Sequence, residues 1–281
     1  MIDVSNLYFS YTKKPYIQDM SFKVDDGEIF GFLGPSGAGK TTLHKILTGL
    51  LVNYEGSAKV NGIECRKHDS GFYEQIGVDF EYSTMYEKLT ARENLKFFGS
   101  LYSGDLRSAD ELMEAVGLIN DADKRVSDYS KGMKARLNFI KALLHNPAVL
   151  FLDEPTNGLD PTNSRLMKDM IIEEKKKGRT IILTTHNMQD ASELCDRVAF
   201  IVNGKICALD SPHKLIMKRG AAKLTYTWSD NGEKEASCVL NKVSEDERLQ
   251  ALIKNNSLLS IHSSEPSLND IFIDITGRTL L

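Results

Sequence analysis

The apolar run Ile29-Phe30-Gly31-Phe32-Leu33 leads into Gly34-Pro35-Ser36-Gly37-Ala38-Gly39-Lys40-Thr41. A helix-like stretch, Thr42-Leu43-His44-Lys45-Ile46-Leu47, follows. The middle segment fits G-x-x-x-x-G-K-[ST], and strand, glycine loop, helix is the order a phosphate-binding loop requires. Glycines let successive backbone N–H groups turn inward onto phosphate oxygens, and the helix start adds the positive end of its dipole. In that reading Lys40 reaches the β- and γ-phosphates and the Thr41 hydroxyl binds Mg²⁺. A glycine-rich turn that matches by chance is the competing reading. The strand and helix flanks count against it.

Two further strands end in groups suited to such a loop. Val149-Leu150-Phe151-Leu152 runs apolar into Asp153-Glu154. A buried parallel strand that stops in acids places them at the carboxyl edge of a sheet, where open α/β sheets bind ligands. Asp153 is placed to hold Mg²⁺, and Glu154 to orient or deprotonate an attacking water. A strand that merely runs into a polar loop is the alternative. Ile181-Ile182-Leu183-Thr184-Thr185-His186 is the second such strand. His186 at its tip can hydrogen-bond a γ-phosphate and the lytic water, although a lone histidine is more often a helix cap or a solvated loop residue.

Between the two strands lies a helix-like segment, Asn163 to Lys177, closed by Gly178. Strand, helix, strand at this spacing implies parallel strands and an α/β core. Residues 131–145 are a further helix candidate, with Met133, Leu137, Ile140 and Leu144 at helical spacing and Asn146-Pro147 ending it. Tyr129-Ser130-Lys131-Gly132-Met133 opens that helix. Ser130 can cap it, and Lys131 adds positive charge to the outward N–H groups near Gly132, which makes a second anion site.

Elsewhere the pattern is simpler. Residues 1–30 alternate apolar and polar positions, which suggests antiparallel strands, with Asp25-Asp26-Gly27 as a turn between two of them. Residues 56–80 are expected to be strand-rich, with a hairpin turn at Asn61-Gly62. From Leu89 to about Gly117 the pattern is helical, with Leu95, Phe98, Leu112, Met113 and Val116 on apolar faces. After Pro212 the character changes. Leu224-Thr225-Tyr226-Thr227-Trp228 alternates, Asp230-Asn231-Gly232 turns, and the region from about 215 to 281 is expected to be a small α+β appendage.

Composition excludes several functions. With 281 residues, 41% apolar and 26% charged, the chain has the profile of a soluble globular protein. No apolar stretch approaches the roughly 20 residues of a membrane span, and the N-terminus lacks a signal-peptide layout. A cytosolic location is therefore expected, with any membrane role coming through a partner. The net charge of −4 gives no support for nucleic-acid binding. Cys65, Cys195, Cys207 and Cys238 are scattered without C-x-x-C spacing, which argues against zinc and thiol redox chemistry.

Taken together, these segments resemble the nucleotide-binding subunits of ATP-binding cassette (ABC) transporters over about residues 1–212. Gly34 to Thr41 is similar to the Walker A loop and Val149 to Glu154 to Walker B with its catalytic glutamate. Ser130-Lys131-Gly132-Met133 resembles the signature segment, Asn157-Gly158-Leu159-Asp160 the D-loop, and His186 the switch histidine. Tyr11 is similar to the aromatic residue that stacks on adenine. The resemblance implies a P-loop NTPase core with an antiparallel β subdomain and a helical subdomain at about 82–147. It implies ATP and Mg²⁺ as ligands, with Gly34, Pro35, Ser36, Gly37, Ala38, Gly39, Lys40, Thr41, Thr42 and Asp160 at the nucleotide. It also implies a head-to-tail dimer, with itself or with a second ABC ATPase, in which Ser130, Lys131 and Gly132 act on the nucleotide of the other chain.

One position departs from the family pattern. Glutamine is usual after the strand read here as Ile76-Gly77-Val78-Asp79-Phe80, and this chain has Glu81. A carboxylate there brings extra negative charge near the metal, so Glu81 is a candidate Mg²⁺ ligand. The closing segment Glu265-Pro266-Ser267-Leu268-Asn269-Asp270-Ile271-Phe272 resembles that of subunits paired with ABC-2-type permeases, mostly exporters of drugs, lipids, polysaccharides or peptides. These features imply an exporter ATPase at the inner face of the cell membrane, docked to an integral membrane permease through the segment after Glu81, through about Arg107. A soluble ABC factor acting in translation or DNA repair, or an importer ATPase, is the alternative. The expected domains are 1–212 and 213–281.

Overall fold

Alternation along the first strands separates two faces, and the computed structural model builds on them; it describes residues 1–81, 85–219, 223–230, 232–264 and 266–277. β1 (Ile2–Phe9) pairs antiparallel with β2 (Ile17–Val24), burying Ile2, Val4 and Leu7 on one face. The turn at Asp25-Asp26-Gly27 then carries the chain out of that sheet. β3 (Ile29–Leu33) is buried along its whole length, as a parallel central strand must be. The expectation that this turn joins two antiparallel strands is corrected here: β3 belongs to a second, parallel sheet.

The phosphate-loop helix is α1 (Lys40–Leu47). β4 (Glu55–Val60) and β5 (Ile63–Glu64) complete the antiparallel sheet, in the order β2-β1-β4-β5. Asn61 and Gly62 take φ of +49° and +80°, as a tight hairpin turn requires. Within the region expected to be strand-rich, the structure also has α2 (Ser70–Gln75), whose start is capped by the Asp69 carboxylate. β6 (Ile76–Asp79) follows directly.

The helical pattern from Leu89 to Gly117 forms α3 (Ala91–Gly99) and α4 (Ala109–Ala115). Thr90 and Glu93 form a reciprocal cap at the first start, and Ser108 caps the second. α5 (Lys131–Leu143) starts at the Ser130 cap. β7 (Val149–Asp153), α6 (Pro161–Lys176) and β8 (Thr180–Thr185) form the anticipated strand–helix–strand unit, with β7 and β8 parallel. α7 (Met188–Leu194), β9 (Arg197–Val202) and β10 (Lys205–Asp210) end this part of the chain.

The second sheet has the order β10-β9-β3-β8-β7-β6. Register pairs Leu33 with Thr185 and Asp153 with Thr184, so β3, β7 and β8 end at one edge. The main apolar core draws on both sheets. Ile2, Met20 and Phe22 come from the first, Phe30, Phe151 and Ile182 from the second, and Leu43 and Ile46 from α1. The rings of Phe22 and Phe32 meet edge to face at 5.2 Å. Glu174 on α6, 2% exposed, accepts from Arg107 at 2.8 Å and also from Arg179, which ties the segment before α4 to the end of α6. Among the described residues no helix is long and apolar enough to cross a membrane.

The chain divides into two compact units, Met1–Leu209 and a second beginning at Asp210. The second holds α8 (Pro212–Arg219), β11 (Lys223–Ser229), β12 (Glu233–Val239), α9 (Glu247–Lys254), β13 (Leu258–Ser264) and α10 (Leu268–Thr276). Its strands form an antiparallel sheet, β12-β11-β13, over a small core of Leu224, Tyr226 and Leu249. Ser267 and Asp270 cap α10 reciprocally. Asn231 of the expected turn, Glu265 of the closing segment and residues 82–84 of the expected docking segment lie outside the described residues.

One core position is anomalous. His44 in α1 is fully buried, with its ring edge-on to Phe151 at 5.6 Å, and neither ring nitrogen has a hydrogen-bond partner among the described residues. Burial lowers its pKa to about 4, against a smaller opposing pull from Asp153. The unfolded chain therefore takes up a proton near pH 6.5 that the folded chain refuses, and stability falls as pH drops from 6.5 towards 4. The full effect is about 3 kcal/mol. His44→Leu is expected to flatten this slope and to raise stability at neutral pH by about 1–2 kcal/mol, since it removes two unsatisfied polar atoms. Urea midpoints for both proteins between pH 7 and pH 5 test this, and parallel pH dependences would refute it.

Candidate active site

The phosphate loop is shaped by close approach. A Cβ on Gly34 would lie 2.2 Å from the Ile201 carbonyl oxygen, so only glycine fits beside β9. Gly39 takes φ +113° at the start of α1, a conformation that side chains rarely tolerate. Lys40 Nζ donates to the carbonyls of Gly34 (2.6 Å) and Pro35 (3.2 Å), so its ammonium is held inside its own loop. Burial lowers the pKa of Lys40, and the nearby Glu154, Asp153 and Glu81 carboxylates oppose that shift.

The loop forms one wall of a cavity of about 320 Å³. The residues from Ser36 to Thr42 line it, and Glu81, Asp153, Glu154, Asn157 and His186 face them. Gly34 and Pro35 do not line it; they act through the carbonyls that hold Lys40. Thr41 Oγ1 donates to Asp153 Oδ2 at 3.3 Å, and the Thr184 hydroxyl donates to Asp153 Oδ1. Glu154 Oε1 lies 2.9 Å from His186 Nδ1, with the glutamate side chain 12% exposed and the histidine 53%. The sheet edge thus gathers Lys40, Thr41, Asp153, Glu154 and His186 from three strand ends.

Other expected residues stand apart. Tyr11 is 56% exposed, and its hydroxyl lies 3.0 Å from Thr42 Oγ1, but its ring does not line the cavity. Tyr16 does, with its hydroxyl donating to the Gly37 carbonyl at 3.1 Å. Ser130 caps α5, accepting from Met133 N–H at 3.2 Å, and neither it nor Gly132 lines a cavity of its own chain described here. Asp160 caps α6, accepting from Asn163 N–H at 3.0 Å. Lys131 lines a second cavity, of about 460 Å³, which shares Glu81, Asp153, Glu154 and Asn157 with the first. Asp79 in its wall is buried, which pushes its carboxyl up to about 7 against the pull of Lys141 and Asn138.

Sequence reasoning passed over Tyr16 and Thr184. Tyr16 carries no motif of its own. Thr184 reads as one more β-branched strand residue, although its place beside Asp153 in the parallel register brings its hydroxyl onto the Asp153 carboxylate.

Residues 17–157 match the family described as ABC transporter. The chain is also 47% identical over 284 residues to the fluoroquinolones export ATP-binding protein of Mycobacterium tuberculosis (strain CDC 1551 / Oshkosh), covering 100% of this chain and 94% of that protein. The chain belongs to the ABC transporter family. Another relative of this ABC ATPase is the Nod factor export ATP-binding protein I of Rhizobium sp. (strain N33), 33% identical over 99% of this chain and 98% of that one. A solved structure titled as the ATP binding subunit of an ABC transporter superimposes with a TM-score of 0.71 at 28% identity, over 77% of this chain and 92% of that chain. As an ABC ATPase the chain binds and hydrolyses ATP.

Proposed function

We propose that this chain is the ATP-hydrolysing subunit of an ABC exporter, working at the inner face of the cell membrane through a separate permease. The observation that carries the reading is the Glu154–His186 pair, 2.9 Å apart and facing Lys40 across the 320 Å³ cavity. Full-length similarity to two export ATPases supports the direction of transport. Lys40 binds the β- and γ-phosphates once the nucleotide displaces its loop carbonyls. Glu154 accepts the proton of the attacking water, and His186 orients Glu154 and contacts the γ-phosphate. Tyr11 and Tyr16 together offer aromatic surface for the base. Two chains, identical or paired with a second ABC ATPase, enclose the nucleotides, with Ser130, Lys131 and Gly132 of one acting on the ATP of the other.

The donor set fits Mg²⁺. Thr41 and Asp153 present hard oxygens 3.3 Å apart, and the Glu81 carboxylate lines the same cavity. Among the described residues no three His, Cys, Asp or Glu side chains group closely enough to cage a metal alone. This suits Mg²⁺, which usually takes one or two carboxylates and completes its shell with substrate phosphates and water. Bound there, it would neutralise charge on the phosphates. Glu81 Oε1 is 3.4 Å from Asn157 Nδ2, a weak restraint that leaves its carboxylate free to turn to the metal. Glu81→Gln is therefore expected to raise the Mg²⁺ concentration needed for half-maximal ATPase activity several-fold. Superimposable Mg²⁺ titrations of the two proteins would remove Glu81 from the metal site.

The transport reading is tested by purifying the tagged chain from detergent-solubilised membranes of its own cells. A stoichiometric multi-span membrane protein is expected to accompany it. Vesicles holding both, with the ATPase facing outward, are expected to accumulate a fluoroquinolone with ATP, and not when the chain carries Lys40→Ala. Recovery with ribosomes or DNA, and no membrane protein, would overturn the proposal in favour of a soluble ABC factor.

A further inference from the structure

Glu154 holds a backbone conformation that a residue with a Cβ disfavours. Its φ is +53°, and such a conformation persists only where the surroundings over-determine it. Two backbone bonds act directly. Glu154 N–H donates to the Thr184 carbonyl at 3.0 Å, and the Glu154 carbonyl accepts from Asn157 N–H at 3.0 Å. A third restraint comes from a side chain. Thr156, two residues on, donates its hydroxyl to Asp190 Oδ2 at 2.6 Å.

Asp190 is on α7, four residues after His186, and is 5% exposed. Its other carboxylate oxygen accepts from Lys168 Nζ on α6 at 3.2 Å, which offsets the cost of the buried charge. Its backbone N–H donates to the Asn187 side chain at 3.2 Å, so the carboxylate is fixed to the helix cap that follows His186. One buried carboxylate therefore joins the segment leaving β7 to the segment leaving β8. The first carries Glu154 and the second His186. Neither Thr156 nor Asp190 lines either cavity at the site, so neither is placed to touch nucleotide.

We propose that Asp190 is a positioning residue for hydrolysis: through Thr156 it locks the strained Glu154 segment against the His186 segment and so aims the Glu154 carboxylate. The proposal rests on Glu154 as the base. Misplacing a reacting group by about 1 Å from a distance can cost about 10²-fold in rate. Loss of the clamp should accordingly lower kcat and leave nucleotide binding, set by the phosphate loop, unchanged.

The experiment compares Thr156→Val, Thr156→Ser, Asp190→Asn and Glu154→Gln in the full chain, measuring kcat and the affinity for a fluorescent ATP analogue. Thr156→Val keeps the Asp190–Lys168 pair, so it isolates the clamp even if Asp190→Asn folds poorly. Thr156→Val is expected to lose about 10- to 100-fold in kcat at unchanged affinity, and Thr156→Ser to recover most of it. Combined with Glu154→Gln, Thr156→Val should add no further loss, because a residue that acts through another is silent once that other is gone. A full further loss in the double variant would overturn the proposal in favour of a general structural role. Wild-type kcat in Thr156→Val and Asp190→Asn beside an inactive Glu154→Gln would overturn the clamp alone. Wild-type turnover in Glu154→Gln would overturn the base assignment and the clamp with it.

Discussion

Glu154→Gln is expected to bind ATP as wild type does and to lose about 10²–10⁴-fold in turnover. The substitution is nearly isosteric. The amide oxygen can still accept from the His186 backbone N–H, which lies 3.4 Å from Glu154 Oε2 in the wild type. Lys40 and Thr41 are untouched, so the contacts that recognise the phosphates survive. The amide cannot take the water proton, so only the chemical step fails. A general base lost without loss of binding lowers kcat and kcat/KM together. The unhydrolysed nucleotide should also hold two chains together, seen as a shift to dimer on size exclusion with ATP and its absence with ADP. Steady-state hydrolysis near the wild-type rate would mean that another group directs the water.

The parts of this site legible in the sequence are those in which a short local pattern forces the geometry. The glycine loop is one, since Gly34 and Gly39 answer demands that no other residue meets. The carboxylates after Val149–Leu152 are another, because a fully apolar strand must be central and its first polar residues must stand at the sheet edge. The Ser130 cap was equally plain, with an apolar helix period directly behind it. Long-range pairing was not legible. The fully apolar run of β3 marks it as buried, but nothing local reports that β8 and β9 are its neighbours. Thr184, Thr156 and Asp190 were missed for a common reason. Each works through a partner more than 30 residues away in the chain, and no local period reports such a bond.

Mixing two inactive chains is expected to restore activity. Within one chain, the α5 start at Ser130 lies outside the cavity that Lys40 lines, and both Ser130 and Lys131 are exposed there. Helix N-termini of this kind favour anions, and among the described residues neither Ser130 nor Gly132 lines the cavity that holds Lys40. A head-to-tail pair would supply an anion, with the ATP on Lys40 of each chain covered by the helix start of the other. Lys40→Ala then removes the phosphate cation, and Ser130→Arg blocks the covering helix, so each protein alone should be almost inactive. In an equal mixture about half of the dimers are hybrids, and each hybrid carries one undamaged composite site, by the symmetry of such an interface. Activity should therefore rise to about a quarter of wild type where one site can turn over alone. It should also fall faster than linearly on dilution, as pairs separate. If the mixture shows only the sum of its parts, and the specific activity of the wild-type chain holds constant down to high dilution, each chain hydrolyses ATP by itself. The helix start at Ser130 would then have no role at the nucleotide.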